Sequence, residues 1–193
     1  MNKIPPTQMP WISEGYQVFA QEGPTGLKIE RLARSIGKNK SSFYHHFADL
    51  EIFTHFLLKH HLLRTEIIAE KEKQCAHMEE LIEVMIEHKV DLLFNRQLRI
   101  HRQNNDFAAC FQQTNQLVAE SIMGIWAQML GLTENSYLAA LVLKLSLENF
   151  YLQITDETLN REWLLAYFQQ LREMVQEFKK MGDFASLNNY LSN

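Results

Sequence analysis

The stretch Ala33–Phe53, "ARSIGKNKSSFYHHFADLEIF", decides how this chain is read. Gly37 interrupts a helical pattern. After it come Lys38, Asn39, Lys40, two serines and a Tyr-His-His cluster, set between the apolar anchors Ile36, Phe43 and Phe47. Upstream, Ile29, Leu32, Ala33 and Ile36 recur at i, i+3, i+4 and i+7, which predicts a helix over Lys28–Ile36 that Gly37 stops as a left-handed cap. Asn39 can cap a short helix, Lys40–Phe47, in which Phe43 and Phe47 lie one turn apart. Turning those rings inward leaves Lys40, Ser41, Tyr44 and His45 on the opposite side. A helix that only closes a core has no need of such a face.

Working outward, Ile12, Gly15, Tyr16 and Phe19 share a face of a first helix, Trp11–Glu22, ended by "EGPTG". Asp49 can cap a long fourth helix running to about Gln74 through Phe53, Phe56, Leu57 and Leu63. Helices two and three with the Gly turn between them make a helix-turn-helix, and the second helix packs Ile29, Leu32 and Ile36 against Phe19 and Phe43. A helix fits the major groove of B-DNA, where residues near its N-terminus reach base edges. Unpaired amides at the starts of helices two and four would also favour phosphate.

The rest of the chain predicts more helices: Met78–Phe94, a short polar piece in Arg96–Asp106, Ala108–Leu130 ending at Gly131, Glu134–Ile154 and Leu159–Met181. With seven Gly and four Pro, no β-branched alternation and no Asn-Gly hairpin, the expected fold is all-α. Residues 1–54 form a helix-turn-helix domain and 55–193 a helical bundle, with helix four crossing between them. The last two helices are apolar around much of their circumference and must be covered on more than one side. They are the expected homodimer interface, a four-helix bundle across a two-fold axis.

Composition narrows the function. The 193 residues are 46% hydrophobic and 22% charged, an ordinary globular balance. The longest apolar stretch, Tyr137–Ile154, is broken by Lys144, Ser146, Glu148 and Asn149, so no membrane span is expected. The opening "MNKIPPTQMP" has no apolar signal core, and Cys75 and Cys110 are too few for a disulfide framework. A cytoplasmic, nucleoid-associated protein with reduced thiols is expected. Net charge is −4, but residues 1–50 hold six Lys/Arg against four acids, a net of +2, leaving −6 for the remainder. That asymmetry permits a DNA-facing end and an acidic body.

Catalytic and cofactor motifs are absent: no Gly-x-Ser-x-Gly, no Gly-rich phosphate loop, no His-Glu-x-x-His and no paired Glu-x-x-His. No enzyme activity, metal or cofactor is therefore expected. His60 and His61 point about 100° apart on a helix and read as surface histidines, not ligands. His77, His88 and His101 are scattered, and Gln112–Gln116, "QQTNQ", reads as a solvated turn of helix.

The run "WISEGYQVFAQEGPTGLKIERLARSIGKNKSSFYHHFADLEIF" resembles the amino-terminal DNA-binding domain of the TetR family of transcriptional regulators. "IERLARSIGKNKSSFYHHF" resembles that family's second helix, turn and recognition helix, ending in its Tyr-x-His-Phe signature as Tyr44–Phe47. The likeness covers about residues 11–56. It implies a divergent second domain that binds a small-molecule effector and dimerises, and a repressor released from a pseudo-palindromic double-stranded operator by that ligand. Lys40, Ser41, Ser42 and His45 are the candidates for base edges, and Lys28, Lys38, Asn39 and Tyr44 for the DNA backbone. His46 stands between DNA contact and bracing the helix. Met85, His88, Leu92, Phe111, Trp126 and Met129 lie on helices that enclose the effector pocket in similar proteins, although such stripes also suit a plain core. Two departures weaken phosphate binding: Leu50 stands where the family often has Lys, and the arm before helix one offers only Lys3. Open alternatives are a helical small-molecule carrier or enzyme with an incidental polar face, an activator, or a regulator controlled by a protein partner.

Overall fold

The computed structural model describes residues 4–190, with side chains as far as Met181. In chain order the helices are α1 (Met9–Glu22), α2 (Ile29–Ser35), α3 (Lys40–His46), α4 (Leu50–Glu72), α5 (Met78–Glu87), α6 (Lys89–Ile100), α7 (Asn105–Leu130), α8 (Ser136–Gln153) and α9 (Arg161–Tyr190), with a 3-10 turn at Pro24–Gly26. No strand occurs among the described residues.

Local chemistry sets the first turns. Gly37 adopts φ 65°, which side chains disfavour. Its N–H donates to Arg34 O and that of Lys38 to Ala33 O, closing α2 in a Schellman motif. Asn39 Oδ1 then accepts from Ser42 N at 2.8 Å and starts α3. Asp49 Oδ1 does the same for Ile52 N in α4. Asp49 thus occupies one of the amides at the start of α4.

Aromatic packing then joins α1–α3 to α4. The Phe43 ring lies 5.3 Å from Trp11, 5.2 Å from Phe47 and 5.3 Å from Phe53, and all four are essentially without exposure. Each such ring contributes about 1.5–3 kcal/mol by burial. The axes approach closely at Gly15, where a Cβ would stand 2.4 Å from Phe53 Cζ. On its other side, α1 packs along α6, with the rings of Tyr16 and Phe19 stacked on Phe94 at 4.4 and 4.3 Å. The reading head is thus seated on the body through α1 as well as α4.

In the body, α7 packs on α4, α6 and α8, while α9 lies against α5 and α7. Periodicity predicts one helix over Met78–Phe94, but His88 breaks it with φ −104° and ψ 29°. Its Nε2 accepts from Lys71 Nζ at 3.0 Å, while Nδ1, buried 3.5 Å from Asp91 Oδ2, makes no hydrogen bond among the described residues. Such a contact between α4 and this turn is invisible to helical spacing. The polar piece after Arg96 is the end of α6 plus a turn, and α7 begins earlier than expected because Asn104 caps it.

Candidate nucleic-acid interface

The outer face of α3 is open to solvent. Lys38, Asn39, Lys40, Ser41, Tyr44 and His45 are exposed, Tyr44 at 49%, and Ser42 and His46 are half-buried. None of the described residues covers this edge, and Lys28 is exposed just before α2. Asn39 uses its side-chain carbonyl oxygen as the cap. The His46 carbonyl accepts from Gln8 Nε2 at 3.4 Å, so that residue also ties α3 to the start of α1. Of the nine residues expected at DNA, seven are exposed and two half-buried.

Sequence reading missed its electrostatics. Lys40 Nζ lies 2.5 Å from Glu30 Oε1 across the turn. That hydrogen bond holds the Glu30 carboxyl below its ordinary range and raises the Lys40 ammonium. Two other acids of the head are also engaged: Glu22 takes both guanidinium nitrogens of Arg31, and Glu14 accepts from Ser35 Oγ. Lys28, Arg34 and Lys38 form no ion pair among the described residues. Among the described residues these are the uncommitted cations of the head, whereas Lys40 is paired with Glu30.

Behind this surface runs a buried polar network. Tyr16 Oη donates to Asp91 Oδ1 at 2.7 Å and lies 2.6 Å from His61 Nδ1. Arg64 grips Asp91 through Nε and a terminal nitrogen at 2.5 and 2.7 Å. His61 Nε2 reaches Asn95 Oδ1 at 3.1 Å, which also accepts from Thr114 Oγ1, and Asn95 Nδ2 donates to Tyr151 Oη at 3.2 Å. Burial pushes the His61 imidazole down to about 4. Burial would raise the Asp91 carboxyl, but the hydrogen bonds from Arg64 and Tyr16 outweigh it and hold it low. His61 is thus a fully buried link between α1, α4 and α6, not the surface residue expected; Thr114 is likewise buried within the "QQTNQ" segment.

That network ends at a cavity of about 50 Å³ in the body, which Tyr151 lines. Met85, Leu92 and Trp126 line it too. The other three sequence candidates stand apart: His88 between Lys71 and Asp91, Phe111 edge-on to Tyr151 and lining a surface groove, and Met129 in another groove beside Phe168. Glu72, the last residue of α4, lines the cavity and was not foreseen. The signal was present: Thr65, Ile68, Ala69 and Glu72 recur at i, i+3, i+4 and i+7, which sets an acid on a buried stripe.

Residues 12–51 match the family model described as bacterial regulatory proteins, tetR family. The head is thus a helix-turn-helix of the TetR-family type. The whole fold agrees with that of solved structures. Salmonella enterica GusR superposes with a TM-score of 0.59 at 15% identity, covering 92% of this chain and 97% of that one. A crystal structure from Mesorhizobium loti MAFF303099, described as a TetR-family transcriptional regulator, gives 0.54 at 17% identity, covering 91% and 96%. No curated protein matches in sequence. The TetR-family match thus falls on the head, and for the body the likeness is one of fold. Among the described residues no helix is long and apolar enough to cross a membrane.

Proposed function

We propose that this chain is a homodimeric transcriptional repressor of the TetR family that reads a pseudo-palindromic operator with α3 and is released by a small molecule bound in the body. The single observation that carries the reading is the uncovered face of α3, Lys40, Ser41, Tyr44 and His45, held rigidly from behind by Phe43 and Phe47. Ser and Lys suit base edges and Lys and Tyr the phosphate backbone. Division into a reading head, residues 1–54, and an effector-binding and dimerising body, 55–193, follows from the same reading, with α4 as the shared element.

Dimerisation is supported by apolar side chains left outside the body. Tyr137, Leu141, Leu145 and Leu152 are exposed along α8, Tyr137 at 80%, and Leu165, Met174, Phe178 and Met181 along α9. Stripes of this extent favour an isologous partner. Two copies joined there would set their α3 helices about 34–36 Å apart, one turn of DNA. In the mechanism, ligand binding moves α4 and the buried Tyr16–His61–Asp91 link, so that the heads leave groove spacing. A coupling of about 1–3 kcal/mol is enough for a useful switch.

The experiment is selection of bound fragments from sheared genomic DNA at moderate salt by the purified protein. Enrichment of inverted repeats with half-sites one or two turns apart is expected. Recovery of no preferred fragment would contradict sequence-specific binding.

A further inference from the structure

We propose that the cavity at the C-terminal end of α4 accepts a small organic cation, a protonated amine or an amidinium, anchored by Glu72 against an aromatic wall. This rests on the reading of the cavity as the effector site and names the ligand class.

Glu72 is 6% exposed, and among the described residues its side chain makes one hydrogen bond, from Ser121 Oγ to Oε2 at 2.5 Å, and no ion pair. A buried carboxyl without a counter-ion is costly, and proteins normally pair it. Among the described residues it is the single charged one of the cavity lining, with no Lys, Arg or His beside it. A carboxylate, phosphate or sulfate ligand would meet like charge with nothing to offset it. A purely apolar ligand would leave the carboxyl further from water with no new partner.

The walls point the same way. Trp126, Phe150, Tyr151, Tyr167 and Phe168 surround the space. Their polar ends are engaged elsewhere: Trp126 Nε1 donates to Ala139 O, Tyr167 Oη to Ser146 O, and Tyr151 Oη accepts from Asn95. What remains for a ligand is ring surface, whose quadrupole attracts cations. A charge-assisted hydrogen bond to Glu72 supplies direction.

Size refines the proposal. About 50 Å³ holds a few waters or a cationic head group, whereas a ring needs roughly 150 Å³. A larger ligand must therefore part the helices around the cavity. Glu72 closes α4, the helix whose first turns, with Phe53, support the reading head, so force on the anchor acts on the element that carries α3. Burial raises the Glu72 carboxyl above its usual range, and Ser121 only partly offsets it. Since the cation needs the ionised form, its affinity rises with pH.

Calorimetric titration with benzylamine, benzyl alcohol and benzoate tests this on the full chain. Benzylamine is expected to bind best, to lose roughly ten-fold or more in affinity in Glu72→Gln, and to bind more tightly at about pH 8 than at about pH 5.5. The pH series on the unaltered protein serves if the variant does not fold. Equal binding of benzoate or benzyl alcohol, no benzylamine binding, or an unchanged affinity in both the variant and the pH series would overturn the assignment. DNA retention measured alongside separates the two ideas. Benzylamine bound at Glu72 with DNA retained refutes the effector reading alone. Release by some other compound that Glu72→Gln leaves unaltered, with no benzylamine binding, refutes only the cation.

Discussion

The two ends of α4 are built on opposite principles. At its start, Phe53 and Leu57 are wholly buried against Phe43, Phe47 and the bare backbone at Gly15, with apolar surface on every side. At its finish, Glu72 brings a carboxyl to an underfilled aromatic cavity. Close packing tolerates no displacement without loss of contact, so the head moves with α4 as a unit. A space with a spare polar group can change its occupant. Between them the Tyr16–His61–Asp91–Arg64 cluster fastens α1 to α4 and α6. One helix thus joins a rigid tool to a yielding site.

The largest expected effect tests the rigid end. Phe53→Ala should cost about 3–5 kcal/mol in urea unfolding, because the surrounding rings cannot close the hole. A loss under about 1 kcal/mol would mean that the head is not specified by this packing.

Next is the middle of the helix, through pH. Burial sets the His61 imidazole at about 4 in the folded protein, against an ordinary value of 6.5 in the unfolded chain. The unfolded chain binds the extra proton, so stability is intact above about 6.5 and falls as pH drops toward 4. The full window corresponds to about 3 kcal/mol. His61→Gln should flatten that part of the pH–stability profile; an unchanged slope would show that another group governs it.

How much of this was legible depended on whether the cause was local. Gly37, Asn39 and Asp49 act within one turn of themselves, and the sequence placed the α2 stop and both caps at those residues. The apolar anchors Phe43 and Phe47 followed from spacing alone. The Lys40–Glu30 pair joins residues ten apart on different helices, and Tyr16 meets Asp91 across 75 positions. No periodicity carries such contacts. His88 shows the cost: a helix that looks continuous is broken at the residue whose ring meets Lys71 of α4. Glu72 lies between these cases, since its place on a buried stripe was visible and its lack of a counter-ion was not.

The smallest effect lies at the surface. Glu30→Gln frees Lys40, and operator affinity should rise a few-fold at low salt, with the gain fading as salt is added. Anisotropy titration against a selected fragment measures it. Weaker binding in this variant would mean that Glu30 orients Lys40 for DNA instead of withholding it.

The most direct test of the account is the salt dependence of binding to that fragment by the unaltered protein and by Lys40→Ala. If the outer face of α3 meets DNA through Lys40, the variant binds more weakly and its log–log salt slope is smaller by about 1. An identical slope and affinity would contradict that contact and, with it, the placement of α3 against the duplex.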